Sequence, residues 1–190
     1  MYLSWAFAGI PLGVYNLVQD LNVALQLQPH ILIFLSLVTW SQCKYYGGNW
    51  KLLRILPAAM GIASVIGGIE VGLYFTLRLA WKRDIKWPLT LMAVLAAVLL
   101  CAGVLRYYWE IYQERDVKGI SFAFVGIDYG GDVASTVALV FAPRLDVLGI
   151  IIYSVEAALW IGIQLLGIHF RFRPWLLTKM IKGKGQPETI

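Results

Sequence analysis

The sequence predicts an all-α integral membrane protein, built as one bundle of six transmembrane helices over residues 1–170. Its composition is the first indication: 59% of the 190 residues are hydrophobic and only 14% are charged. A soluble domain is about 45–50% apolar, and a chain with so few charges cannot cover a surface that faces water. The second indication is that the apolar residues collect in runs of about 20, the length that crosses the hydrocarbon core of a bilayer.

The first predicted helix, at about 3–19, is the weakest of the six because it is short and carries Pro11. The brief loop around Asp20 and Asn22 predicts a tight hairpin with the second helix. The chain start has no basic segment and no clear cleavage site, so we interpret it as a genuine span and not as a signal peptide. The other five helices are predicted at about 24–43, 55–79, 88–109, 120–141 and 146–168.

Basic residues predict the orientation of the bundle, since Lys and Arg are enriched in cytoplasmic loops. With six spans, eleven of the 16 Lys and Arg residues fall on the side that holds both termini, and five fall on the other. Both termini are therefore expected in the cytoplasm, with 171–190 as a basic tail that touches anionic headgroups. The basic loop at 80–87 opposes this orientation. Because topology accounts for the net charge of +5, we expect a lipid bilayer and no nucleic acid as partner.

The sequence also excludes several kinds of site. It contains no phosphate-binding glycine loop, no arranged nucleophile and base, and no Cys/His spacing suited to a metal. Cys43 and Cys101 both lie in apolar runs, where neither suggests redox chemistry. We therefore predict that the protein is not an enzyme and has no catalytic residue, metal or cofactor.

An internal repeat relates the first and fifth predicted helices. Six residues of the first helix recur 117 positions later without a gap: Ser4, Ala6, Phe7, Gly9, Ile10 and Gly13 match Ser121, Ala123, Phe124, Gly126, Ile127 and Gly130. Repetition among apolar helices is how many small membrane transporters are built. The four-residue glycine spacings, at 9 and 13, 68 and 72, and 126 and 130, predict close helix packing.

The region at about 103–142 resembles the second repeat of PQ-loop membrane proteins. The resemblance rests on YWEIY at 108–112, GISF at 119–122 and DYGG at 128–131. This family includes cystinosin and the vacuolar and lysosomal amino-acid exporters. The motifs of this sequence are most similar to those of its fungal branch. The resemblance implies two three-helix bundles joined by a linker helix. It also implies a proton-coupled carrier of an amino acid or related metabolite in a vacuolar, lysosomal or other intracellular membrane.

The chain departs from the family pattern in two ways. The Pro-Gln dipeptide of the family falls where Arg106 and Tyr107 stand, so the fourth helix lacks the proline that would bend it. The first helix of the family also has no counterpart, because predicted helices one and two match family helices two and three. The third then matches the linker, and the last three match the complete second bundle. Either the chain is a truncated product or gene model, or it is a naturally reduced member.

The resemblance aligns Asp128 with the acid that binds the coupling proton in cystinosin-like carriers. Charged side chains within spans are costly and usually face the bundle interior. Low-dielectric surroundings disfavour an ionised carboxyl group, so a proton arriving from an acidic lumen would neutralise Asp128 and let the carrier change state. Asp132 lies on the same helical face and should titrate together with it, or it merely lines a cavity. The alternative for Asp128 is a structural acid bonded to a neighbouring helix.

Other polar residues within spans are candidates for the solute pathway. Asn16 and Gln19 could hydrogen-bond a polar solute, although such residues more often join helices. Glu156 could pair with Arg106 or with a substrate amine. Two further pairs of charged residues have structural interpretations. Arg106 and Glu110 form a surface pair, and Glu70 and Arg78 dock a linker helix. His30 is a weak candidate for a proton relay.

The sequence thus supports two functions of different classes. The first is a carrier of a small polar solute and protons, in which a second copy could supply the missing helix contacts as a homo-oligomer. The alternative is a non-transporting accessory or receptor-like membrane protein that keeps the fold and has lost its hinge. The loss of Pro-Gln and the lack of a counterpart to the first family helix both favour this alternative.

Overall fold

A computed structural model describes residues 2–117 and 120–172 of the chain. This part of the chain contains six α-helices and no strand. Lys118, Gly119 and most of the predicted basic tail, from 173 onward, lie outside the described residues. The helices are α1 (Tyr2–Val18), α2 (Val23–Tyr46), α3 (Leu52–Lys82), α4 (Trp87–Glu114), α5 (Phe122–Val140) and α6 (Val147–Gly167), and α6 ends in a π-helical turn (Ile168–Phe172).

All six predicted helices are present, and five of them are long enough to cross a membrane. Helices α2 to α6 are each long and apolar enough to cross a membrane. Helix α1 has 17 residues, about 26 Å at 1.5 Å per residue, against the roughly 20 residues that a hydrocarbon core requires. It ends where Asp20 takes a positive φ of 51°, a left-handed conformation that turns the chain into α2. The structure thus confirms five of the six predicted spans by length and composition, and α1 is a shorter apolar helix.

Local side chains set several helix starts. Asn22, Ser121 and Asp146 each accept a hydrogen bond from a backbone N–H in the first turn of α2, α5 and α6. Such caps satisfy donors that have no partner inside the helix. Helix α4 continues past its predicted end at 109, because no proline interrupts it, and stops where Arg115 has a φ of 53°.

Helix α1 lies inside the bundle and packs against α2, α3 and α4. Its side chains are buried on several sides; Ala6, Ala8 and Val14 have no exposed surface. Helix α5 packs mainly against α6, which also contacts α4. Large apolar side chains on the outside, such as Phe34 and Phe75, match a surface that meets lipid tails.

The predicted packing of the glycine pairs is confirmed for only one pair. A Cβ at Gly9 would lie 2.5 Å from Ile33 of α2, so α1 and α2 approach closely there. A Cβ at Gly68 or Gly72 would meet nothing within 4 Å, and Gly130 is also open. Two residues correspond to about 200° around a helix. Ile66 lies on the side by which α3 packs, and Gly68 therefore faces the opposite side.

Helix α3 is the longest helix and is held by few buried side chains. Its buried residues are Ile55, Ile66, Glu70 and Leu77. The prediction that Glu70 and Arg78 dock α3 agrees with their contacts, because Glu70 lies against His30 of α2 and Arg78 lies 3.9 Å from Asp20. The two side chains meet different neighbours because α3 crosses α2 and the α1–α2 loop at different levels.

Candidate functional site

Three carboxyl groups come together between α5 and α6. Asp128 and Asp132 lie one helical turn apart on α5, and Glu156 of α6 interacts electrostatically with both. Asp132 is 2% exposed and Glu156 is 8% exposed, whereas Asp128 is half-buried. The i and i+4 spacing turns both α5 acids toward the same neighbouring helix. We call these three side chains the carboxyl cluster.

No cation compensates the carboxyl cluster within the described residues. The four ion pairs found in 2–117 and 120–172 involve other acids. The same part of the chain also has no group of three or more His, Cys, Asp and Glu side chains arranged to hold a metal ion. Buried like charges oppose one another, so the cluster cannot be fully ionised without a cation. The carboxyl cluster is therefore suited to binding protons or a positively charged organic group.

Helix α1 adds a polar side chain beside the cluster. Asn16 is buried, and its Nδ2 donates to the Leu25 carbonyl oxygen at 2.7 Å and to the Tyr153 hydroxyl at 3.2 Å. Tyr153 interacts electrostatically with Asp132 and Glu156. Asn16 and the carboxyl cluster are therefore connected through one tyrosine of α6.

Within the described residues, several buried polar atoms of α1 and α5 have no hydrogen-bond partner. They are Asn16 Oδ1, Asp132 Oδ2 and Thr136 Oγ1. An unsatisfied buried polar group costs about 1–3 kcal/mol, so folded proteins keep few of them. Buried polar atoms of this kind inside a membrane bundle are typical of a place where protons or a polar solute bind.

Gln19 lies apart from the cluster, toward the end of α1. Its Nε2 is 3.4 Å from the Tyr15 hydroxyl, which itself donates to Asp146 Oδ1 at 2.6 Å. The same oxygen of Asp146 accepts from the Gly149 N–H at 3.2 Å and caps α6. The structure thus groups Gln19 with a link between α1 and α6, whereas Asn16 contacts Leu25 and Tyr153.

Arg106 and Tyr107, the residues predicted to stand where PQ-loop proteins have Pro-Gln, have unrelated environments. Arg106 Nε lies 3.1 Å from Glu110 Oε1 on the exposed side of α4, so its predicted alternative partner Glu156 is not the one it contacts. Tyr107 points inward, and its ring centroid lies 6.2 Å from that of Trp5 and 6.0 Å from that of Trp160. Helix α4 continues through both positions without a break.

Trp160 connects this aromatic group to the carboxyl cluster. It is fully buried, and its indole N–H lies beside the Asp128 carboxyl group without the geometry of a full hydrogen bond. Neither Trp160 nor Tyr153 was among the site residues predicted from the sequence. A signal was present, since Tyr153, Glu156 and Trp160 have the i, i+3, i+7 spacing of one helical face.

Comparisons with known proteins identify two relatives. The chain is 37% identical over 185 residues to C2E12.03c of Schizosaccharomyces pombe, named an uncharacterized protein, and the match covers 97% of the chain and 62% of the relative. It is 34% identical over 179 residues to YDR090C of Saccharomyces cerevisiae, named an uncharacterized membrane protein, and covers 91% of the chain and 57% of the relative. The chain therefore spans less than two thirds of each relative. No protein-family model and no solved structure matches it.

The name of the second relative agrees with the five membrane-length helices. The protein is a multi-pass integral membrane protein in contact with a lipid bilayer.

Proposed function

We propose that this protein is a PQ-loop-type carrier that moves a small polar solute, an amino acid or related metabolite, together with protons. The observation that supports this most is the carboxyl cluster, because three acids lie between two helices of a membrane bundle with no paired cation among the residues that the structure describes. A purely structural role would not need three uncompensated acids, since an apolar contact between α5 and α6 would hold the helices at lower cost.

The mechanism follows from the cost of a buried charge. A carrier can pass through a closed state only when its binding site is neutral enough to lose water, because each buried ion costs several kcal/mol. Protons on Asp128 and Asp132 would supply that neutrality. Glu156 and Asn16 would contact the solute, and Gln19 would lie farther out on the same route. Release of the protons on the other side would then reset the carrier.

The architecture of the proposed carrier consists of two related halves. The pair α1–α2 corresponds to α5–α6 by the sequence repeat, and in each pair the helices pack extensively against each other. The long, weakly buried α3 suits the role of linker between the halves. Alternating access would then be a rocking of one half against the other around the cluster. We place the protein in a vacuolar, lysosomal or related membrane, with both termini in the cytoplasm, an orientation that requires the short α1 to cross the membrane as a sixth span.

Transport in liposomes tests this proposal. The full chain is reconstituted with a trapped pH indicator, and uptake of individual labelled amino acids is measured with and without a pH gradient. We expect gradient-driven uptake of at least one amino acid, with proton movement in the same direction. Asp128→Asn, Asp132→Asn and Glu156→Gln should each lower that uptake about tenfold or more, equivalent to roughly 1.4 kcal/mol.

Two controls make the test specific. Glu110→Gln removes an exposed carboxyl group outside the cluster and should leave uptake unchanged. Asp132→Asn should retain exchange of solute for solute without a gradient, because a neutral side chain mimics the protonated acid. Equal uptake by all variants would remove the cluster from the mechanism, and no uptake of any amino acid would contradict the carrier itself.

One observation favours the alternative, an accessory or receptor-like membrane protein. Helix α4 passes through Arg106 and Tyr107 without a break, and Tyr107 is packed between Trp5 and Trp160. An unbroken helix with a packed side chain at this position has no hinge at which to bend. This function predicts that the full chain co-purifies with a second membrane protein and shows no uptake in liposomes.

A further inference from the structure

We propose that His30 and Glu70 form a second proton-binding site, separate from the carboxyl cluster, which docks α3 onto the α1–α2 pair. The site lies where three helices meet. His30 of α2 places Nε2 2.9 Å from Oε1 of Glu70, near the middle of α3. Gly13 of α1 lies against the same oxygen, and a Cβ there would be 2.5 Å from it. The absence of a side chain at Gly13 therefore lets the acid reach in beside α1.

The hydrogen bond on the other side of the His30 ring determines which ring nitrogen can gain or lose a proton. His30 Nδ1 lies 2.7 Å from the backbone carbonyl oxygen of Gln26. A carbonyl oxygen only accepts hydrogen bonds, so Nδ1 must carry a hydrogen. In the neutral ring, Nε2 then has a lone pair and no hydrogen.

The contact with Glu70 therefore requires one further proton. An ionised carboxyl group has only lone pairs, and a lone pair of Nε2 at 2.9 Å would repel it. A proton on Nε2 gives an imidazolium–carboxylate pair, and a proton on Glu70 gives a neutral acid beside a neutral ring. Both arrangements hold the same number of protons. The two atoms lie at 2.9 Å without the geometry of a full hydrogen bond, and a bound proton would make their close approach favourable.

No other charged group assists this pair. Among the described residues, His30 is the one ionisable group that acts electrostatically on Glu70. On α1 the neighbour is Gly13, and the nearest acid or phenol of that helix, Tyr15, is turned toward Asp146. On α3 itself, Arg78 lies two turns away beside Asp20 and Tyr74. No ionisable side chain of α4 reaches Glu70 within the described part of the chain.

Loss of the proton should weaken the attachment of α3. The other ion pair from α3 to the α1–α2 hairpin, Arg78 with Asp20, is long at 3.9 Å and exposed, and such pairs contribute little. The side chain of Glu70 is 11% exposed, so an uncompensated charge there would be poorly solvated. The site consequently holds α3 at low pH and releases it as the pH rises. This inference does not depend on transport by the carboxyl cluster.

Nitrogen NMR of the full chain in lipid nanodiscs tests the chemistry. The sequence has two histidines, His30 and His169, so His169→Gln assigns the remaining signal. We expect His30 Nδ1 to stay protonated across the titration, and one proton per chain to be lost from the pair as the pH rises. Glu70→Gln should abolish this coupled loss, because the amide can donate to Nε2 without a bound proton. A deprotonated Nδ1, or identical titrations of the wild type and Glu70→Gln, would overturn the assignment.

Distances between spin labels test the docking. The labels are placed at the exposed positions Phe34→Cys on α2 and Phe75→Cys on α3, after replacement of Cys43 and Cys101. The distance should lengthen at high pH in the wild type and stay short in Glu70→Gln. Asp132→Asn, a matched change in the carboxyl cluster, should leave this response unchanged. A wild-type distance independent of pH, or loss of the response in Asp132→Asn, would contradict a separate docking site.

Discussion

The close approach of α1 and α2 at Gly9 provides a quantitative test of the fold. In Gly9→Ala the added Cβ would lie 2.5 Å from Ile33 Cγ1, 2.9 Å from Ile33 Cδ1 and 3.1 Å from the Pro29 carbonyl oxygen. Carbon atoms in contact are normally about 3.5–4.0 Å apart, so either Ile33 or the backbone must move. Overpacking of this kind costs about 1–3 kcal/mol.

Alanine also has a favourable effect that must be subtracted. It is a better helix former than glycine by about 0.8–1.0 kcal/mol. Gly68→Ala isolates this effect, because nothing lies within 4 Å of the Cβ it would add. We therefore expect Gly68→Ala to stabilise the protein by up to about 1 kcal/mol. Relative to that control, Gly9→Ala should be less stable by about 1–3 kcal/mol.

The measurement is the free energy of unfolding of the full chain in lipid bicelles, obtained for the wild type and both variants by steric trapping. Comparison of the two glycines removes helix propensity from the result, so the difference reports the contact between α1 and α2. Equal stabilities for Gly9→Ala and Gly68→Ala would refute the packing of α1 described here.

Three further predictions concern polar contacts. Tyr15→Phe should destabilise the chain by about 1–3 kcal/mol, because it removes the hydroxyl that donates a hydrogen bond to the part-buried Asp146. The same unfolding measurement checks this, and an unchanged free energy of unfolding would contradict the link between α1 and α6. Arg106→Ala should cost less than about 0.5 kcal/mol and leave liposome uptake unaltered, because its pair with Glu110 is exposed. Tyr153→Phe should lower uptake while the chain stays folded, since the hydroxyl connects Asn16 to the carboxyl cluster; normal uptake would show that this connection is dispensable.

Much of the candidate site could be anticipated from local spacing. Asp128 and Asp132 are one turn apart, so any helix over them brings the two carboxyl groups to one face. Their meeting with Glu156 could not be anticipated in the same way, because it depends on the rotation of α6 against α5. Trp160 and Tyr153 share the face of Glu156, and that periodic spacing was the signal available for them.

The amino-acid sequence by itself determined the number and approximate bounds of the helices. Long apolar runs must form helices in a bilayer, where each backbone N–H and C=O needs a partner within its own segment. Residues such as Asn22 and Asp146 determine where helices begin, since a capping hydrogen bond involves only neighbours along the chain.

Only the tertiary structure decided which faces meet. A membrane helix is apolar on most sides, so hydropathy does not distinguish the face toward lipid from the face toward a neighbour. This is why Gly9 packs while Gly68 is open, and why Glu70 meets His30 of α2. The short α1 is likewise inside the bundle because of the helices around it, and nothing in its own seventeen residues requires that position.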